Sequence, residues 1–106
     1  MAKLNLSPTA NDDLLSIKTY IEKELGNPTA ATNTVAKITK RLRLLEEFPL
    51  SGTSLEKVVG FETDYRFVIS GNYISFYRYL GDTVFVDRVL YARRDYPKIL
   101  FGDISE

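Results

Sequence analysis

The chain has 106 residues, 44% hydrophobic and 26% charged, proportions ordinary for a globular protein. Its 14 basic residues balance its 14 acidic ones, and the sequence pI is 6.3, far below the value above about 9 common in proteins that live on nucleic acid. With neither cysteine nor histidine, disulfides, thiolate zinc sites and a histidine general base are excluded.

A chain of this length buries roughly two thirds of its unfolded surface, which predicts one compact domain over residues 1–106 with one core. No apolar run approaches the ~20 residues needed to span a bilayer. No charged-then-apolar signal opens the chain, so a cytoplasmic protein without membrane contact is expected.

In chain order, Lys3 to Leu6 forms a short edge strand. Ser7-Pro8 is an N-cap followed by proline at the first helical position, with Asp12 and Asp13 expected near the positive end of the helix dipole. Leu14, Ile17, Ile21 and Leu25 recur at helical spacing, and Gly26 ends the helix. Asn27-Pro28 repeats the start signal, and Ala31, Val35, Ile38, Leu42 and Leu45 form a second apolar stripe up to Phe48-Pro49. The short connection predicts an antiparallel helical hairpin.

From Tyr65 to Asp95 the pattern changes to alternation. Three strands are expected, joined at Ser70-Gly71-Asn72 and Gly81-Asp82, residues that tolerate the positive φ of hairpin turns. The last, Thr83 to Tyr91, delivers Arg93 and Arg94 at its exit. The predicted class is therefore α+β: a short strand and an antiparallel helical hairpin packed on a small antiparallel sheet, in the order β-α-α-β-β-β. A three-stranded meander is marginal by itself, so the helices must cover one face, leaving the other face and the helix–sheet groove for partners. The apolar tail Tyr96 to Gly102 is expected to pack Ile99, Leu100 and Phe101 over the helix–sheet seam; left loose, it would be a place for a partner to engage.

Charge is unevenly placed. Residues 66–98 carry six basic and three acidic groups, against a net of −1 over residues 1–36. Arg66, Arg78, Arg88, Arg93 and Arg94 thus share one small sheet, and such arginines commonly recognise phosphate or carboxylate. The plainer reading pairs Arg66, Arg78 and Arg88 with Asp64, Asp82 and Asp87 as surface ion pairs, each contributing roughly 0–1 kcal/mol. Arg93-Arg94 at a strand exit resists that reading. Tyr73, Phe76, Tyr77 and Tyr79 read as cross-strand packing ahead of a base-stacking platform. Lys37, Lys40, Arg41 and Arg43 read as the solvated side of the second helix, with partner contact as the alternative. Asp13, Glu22 and Glu24 suggest no catalytic carboxylate pair, and Gly52, Gly71 and Gly81 are turn glycines, forming no phosphate loop.

The run Tyr65-Arg66, Gly71-Asn72-Tyr73, Phe76-Tyr77-Arg78, followed by Arg88-Val89-Leu90 and Arg93-Arg94-Asp95, resembles the RelE/ParE superfamily, the toxins of bacterial type II toxin–antitoxin modules. The layout of the whole chain agrees, including Phe48-Pro49 and Gly52 ahead of the sheet. The resemblance implies a cognate antitoxin whose disordered C-terminal segment wraps the toxin and folds on binding. It also implies one of two activities.

The nuclease branch cleaves mRNA on the ribosome without metal, with cations stabilising transition-state charge. Arg66, Arg93, Arg94 and Tyr96 match that branch, whereas Val68 and Ile74 stand where it carries a lysine and an arginine. The ParE-like branch, which inhibits DNA gyrase, is closer: only Tyr91 departs, where histidine is frequent. By this resemblance the chain is a ParE-like toxin with roles in growth inhibition and plasmid stabilisation. No cofactor or metal is implied, and Arg66, Arg78, Arg88, Arg93, Arg94 and Phe101 would contact target or antitoxin. The alternatives are a ribosome-dependent endoribonuclease and a degenerate member that binds its antitoxin without being toxic.

Overall fold

The computed structural model describes residues 1–102. Strand β1 (Lys3–Leu6) leads into helix α1 (Pro8–Lys23), then helix α2 (Pro28–Arg43) and a 3-10 turn over Leu44–Glu46. Strand β2 (Thr53–Ser54) and the one-turn helix α3 (Glu56–Val59) precede the meander β3 (Arg66–Ser70), β4 (Tyr73–Leu80) and β5 (Thr83–Tyr91). A short helix, α4 (Tyr96–Phe101), follows.

Both long helices start as their caps dictate. Ser7 Oγ accepts from the Ala10 N–H at 2.9 Å and Asn27 Oδ1 accepts from the Ala30 N–H at 3.0 Å, each ahead of a proline with no N–H to satisfy. The first helix stops at Lys23, a little before Gly26, which turns the chain at φ +61°. Asp12 and Asp13 lie beyond its first turn, so the expected dipole role falls away; Asp13 is used elsewhere.

The sheet has five strands in the order β1-β5-β4-β3-β2. β1 lies at an edge and pairs parallel with β5, Lys3 opposite Thr83; the other pairs are antiparallel. Both hairpins close with two-residue loops, Gly71-Asn72 and Gly81-Asp82, in which only the glycine has positive φ. That is the type II′ pattern, whose twist matches the flanking strands.

One expectation needs correction: the described residues build two apolar clusters, one on each face of the sheet. The larger joins Ile17 and Ile21 of α1, Ile38 and Leu42 of α2, and Leu45 to Val68, Tyr77, Val84, Val86 and Val89. The smaller joins Leu55, Ile74, Phe76 and Leu90 to Tyr96, Ile99, Leu100 and Phe101. The tail therefore packs on the face away from the long helices instead of over the helix–sheet seam, and that face is partly occupied. β4 is covered on both sides, which is why Ile74, Ser75, Phe76 and Tyr77 are all buried in succession.

Candidate functional site

Alternation along β5 breaks between Val86 and Val89, where a bulge shifts the register against Phe76 and Tyr77 of β4. The extra residue is Asp87. Its Oδ2 accepts from the Tyr65 hydroxyl at 2.7 Å and from Arg78 Nε at 3.1 Å. The Arg78 guanidinium also lies 5.4 Å from the centre of the Tyr65 ring. Burial first, then the bond to Asp87 and its charge, push the Tyr65 phenol up to about 12, with Arg78 pulling the other way. A phenol so placed stays protonated at neutral pH and cannot serve as a base. Arg78 is thus paired with Asp87 and not with Asp82, which sits 3.8 Å from Lys3.

Arg66 is held differently. It donates from Nη1 to the carbonyls of Gly52 at 2.9 Å and Leu50 at 3.5 Å, leaving no ion pair with Asp64. The same loop is fastened by Tyr77, whose hydroxyl donates to the Pro49 carbonyl at 2.7 Å and accepts from the Gly52 N–H at 3.0 Å. Burial raises the Tyr77 phenol, while the Gly52 N–H and the charges of Arg66 and Arg41 oppose the shift. A Cβ on residue 52 would sit 2.5 Å from that hydroxyl, so only glycine lets the loop approach so closely.

Arg88 was expected beside Asp87 and instead grips Asp13 of α1. Nε and Nη2 donate to the two carboxylate oxygens at 2.8 and 2.9 Å, and the Val89 N–H donates to the same group at 2.9 Å. β1 pairs with β5 only as far as Val86, so beyond it the backbone of β5 needs other partners. Asp13 satisfies Val89, and the Ser7 hydroxyl donates to the Asp87 carbonyl at 2.9 Å. The bond to Asp13 raises the Arg88 pKa against the opposing effect of burial.

Arg93 and Arg94 stand apart. They occupy the exposed turn between β5 and α4 and make no ion pair or side-chain hydrogen bond among the described residues. Their backbone is well fixed: Ala92 N–H bonds the Asn72 carbonyl at 2.8 Å and Arg94 N–H bonds the Tyr91 carbonyl at 2.9 Å. Beside them Tyr91 packs edge-on to Tyr73, ring centres 5.9 Å apart. Tyr20 at the end of α1 lies near enough for burial, Tyr91 and Tyr20 together to raise the Tyr73 phenol. Tyr20 and Tyr91 remain 53% and 42% exposed. The sequence alone does not show this grouping, because Tyr73 and Tyr91 meet only through the β4–β5 register and Tyr20 only through the packing of α1.

The remaining candidates pack. Tyr96 lies over Phe76 with ring centres 5.1 Å apart. Phe101 sits edge-on to Phe61 at 5.0 Å and to Tyr65 at 5.7 Å, fastening the tail. Lys37, Lys40 and Arg43 are exposed on α2, as expected of a solvated face, whereas Arg41 is half-buried. At the opposite end of the sheet from Arg93, Phe48, Pro49, Leu50, Ser51 and Tyr79 line an open, nearly wholly apolar depression of about 480 Å³. Phe48 and Leu50 of this lining are 58% and 60% exposed.

Arg66, Arg93, Arg94 and Tyr96 do not converge. Arg66 pairs across from Tyr77, while the Arg93 turn follows Tyr91, opposite Tyr73 and Ser70. Four residues of β3 separate the two groups, roughly 13 Å of strand. Phosphoryl transfer needs its cations aimed at one developing charge. Here Arg66 is tied to carbonyls and the free pair lies elsewhere.

Comparison with known proteins agrees with the architecture. The family described as the ParE toxin of type II toxin–antitoxin system, parDE, matches residues 4–96. A solved structure titled as a chromosomal ParDE toxin–antitoxin system from P. aeruginosa superposes with a TM-score of 0.72 at 19% identity, covering 88% of this chain and 98% of that one. At that identity it speaks for the fold alone. No curated protein matches the sequence.

Proposed function

The chain belongs to the ParE toxin family of type II toxin–antitoxin systems, and on that premise we propose that it arrests growth by binding an essential protein, DNA gyrase, without itself breaking a bond. The observation that carries this reading is the dispersal of the cations. Arg66, Arg78 and Arg88 are each engaged by the protein's own carbonyls or carboxylates, leaving Arg93 and Arg94 as the free pair among the sheet arginines of the described residues. The balanced net charge also suits a protein target better than ribosomal RNA.

Neutralisation by a cognate antitoxin accompanies this function. The apolar depression lined by Phe48, Leu50 and Tyr79 is the surface on which an amphipathic segment of a disordered antitoxin would fold. The toxin acts in the cytoplasm, and its persistence beside a shorter-lived antitoxin would stabilise the plasmid or locus that encodes both.

The test is induction in cells lacking an antitoxin, wild type beside an Arg93→Ala/Arg94→Ala variant. The expected result is growth arrest with a DNA-damage response, intact mRNA, and loss of both effects in the variant. Codon-phased mRNA cleavage would overturn the reading in favour of an endoribonuclease. Absence of arrest at full expression would leave an antitoxin-binding protein without toxicity.

A further inference from the structure

Resting on the binding reading above, we propose that Tyr20, Tyr73, Tyr91, Arg93 and Arg94 form one target-gripping face, and that it takes an acidic segment carrying an apolar side chain. Fold stability does not account for this surface. Among the described residues, two arginines on a well-fixed turn stay unpaired, and two of the three neighbouring tyrosines remain 53% and 42% exposed. Tyrosine and arginine are the side chains most often found to dominate protein interfaces, because a rigid ring loses little entropy on docking.

The sign of the partner follows from the charges around the patch. Lys23 and Glu24, beside Tyr20 at the end of α1, offset one another. Asp95 caps α4, its Oδ1 accepting from the Lys98 N–H, and keeps its charge, so the Arg93-Arg94-Asp95 turn carries a net +1. Arg93 and Arg94 therefore set the local potential, and each guanidinium can hold a carboxylate through two parallel hydrogen bonds. The tyrosine rings supply the area against which an apolar side chain between those carboxylates is buried.

This face is separate from the apolar depression. Tyr73 and Tyr79 lie on the same side of β4, six residues and about 20 Å apart. A partner confined to the depression would leave the tyrosine–arginine face open. An antitoxin that silences the protein must therefore reach along the sheet, distort it, or obstruct the target sterically.

The experiment measures affinity for purified DNA gyrase at low and high salt. The variants are Tyr91→Ala, Tyr20→Ala, Arg93→Glu/Arg94→Glu, Arg93→Lys/Arg94→Lys, and Phe48→Ser/Leu50→Ser in the depression. Charge reversal and Tyr91→Ala should each weaken binding at least about tenfold. The lysine pair should retain part of the affinity, the variant in the depression should bind as wild type does, and only the reversal should invert the salt dependence, because salt then screens a repulsion. Thermal unfolding of each variant separates loss of the face from loss of the fold. Wild-type binding with unchanged affinity in folded Tyr91→Ala and charge-reversed chains would overturn this face and leave the gyrase reading intact. No binding by the wild type would overturn that reading and this inference with it.

Discussion

Replacing Asp13 by alanine tests the claim that Arg88 is held for stability and not for a partner. The carboxylate accepts three hydrogen bonds, two from Arg88 and one from the Val89 N–H, at 2.8, 2.9 and 2.9 Å. Side-chain exposures of 26% for Arg88 and 12% for Asp13 place the pair between a surface bridge and a buried one. Breaking a buried pair costs about 3–5 kcal/mol and an exposed one contributes about 0–1 kcal/mol. An unsatisfied Val89 N–H adds to the loss, so about 2–3 kcal/mol is expected. For a domain of this size each kcal/mol moves the melting temperature about 4–8 °C, which predicts a fall of about 10–20 °C. Urea unfolding followed by circular dichroism measures the change directly. Asp13→Asn keeps an acceptor for Val89 and should lose about half as much. Arg88→Ala leaves the Val89 bond in place and should cost less than Asp13→Ala, with the double variant well short of their sum. A loss below about 0.5 kcal/mol for Asp13→Ala, or strict additivity, would refute the reasoning and return Arg88 to the pool of available cations.

Three further outcomes follow from packing and titration. Gly52→Ala sets a Cβ 2.5 Å from the Tyr77 hydroxyl and 2.8 Å from the Phe67 carbonyl, and should destabilise by about 1–3 kcal/mol in the same urea assay. Tyr77→Phe removes the bonds to Pro49 and Gly52 and should also cost about 1–3 kcal/mol, with the Pro49–Gly52 loop becoming faster in amide exchange. Tyr65 titrates near 12 when folded against 10 when unfolded, so the native state holds this proton more tightly. Its contribution is complete below pH 10 and is lost as pH rises from 10 to 12; in a near-ultraviolet titration Tyr65→Phe should delete the last phenol to ionise.

Local signals carried the fold a long way. Serine and asparagine caps before proline, glycines at two-residue turns and a clean switch from helical to alternating periodicity all act over a few residues, so they are visible without coordinates. What was hidden depends on distance along the chain. Arg88 and Asp13 are 75 residues apart, and the nearer Asp87 was the obvious partner until the bulge turned it toward Arg78. A trace of that bulge is present in the spacing, where valines at 84 and 86 are followed by one at 89. Likewise the unbroken buried run from Ile74 to Tyr77 marks a strand covered on both faces, which demands something for the tail to pack against. Strand β2, only two residues long, has no periodicity to detect. Of the proposed contact residues, the Arg93-Arg94 turn was plain from its place at a strand exit, whereas Tyr20 joins it only through tertiary packing.

The parallel pairing of β1 with β5 has a bearing on the timing of synthesis. Lys3 must meet Thr83, its partner 80 residues downstream, so the first strand has no strand to pair with until β5 has been made. Helices α1 and α2 can form early, but the surface they cover is assembled last, and such long-range closure is slow compared with local folding. Until β5 has emerged, a nascent chain would thus expose an apolar hairpin and no finished sheet. A partner already present in the cell could meet the molecule before β1 has closed on β5.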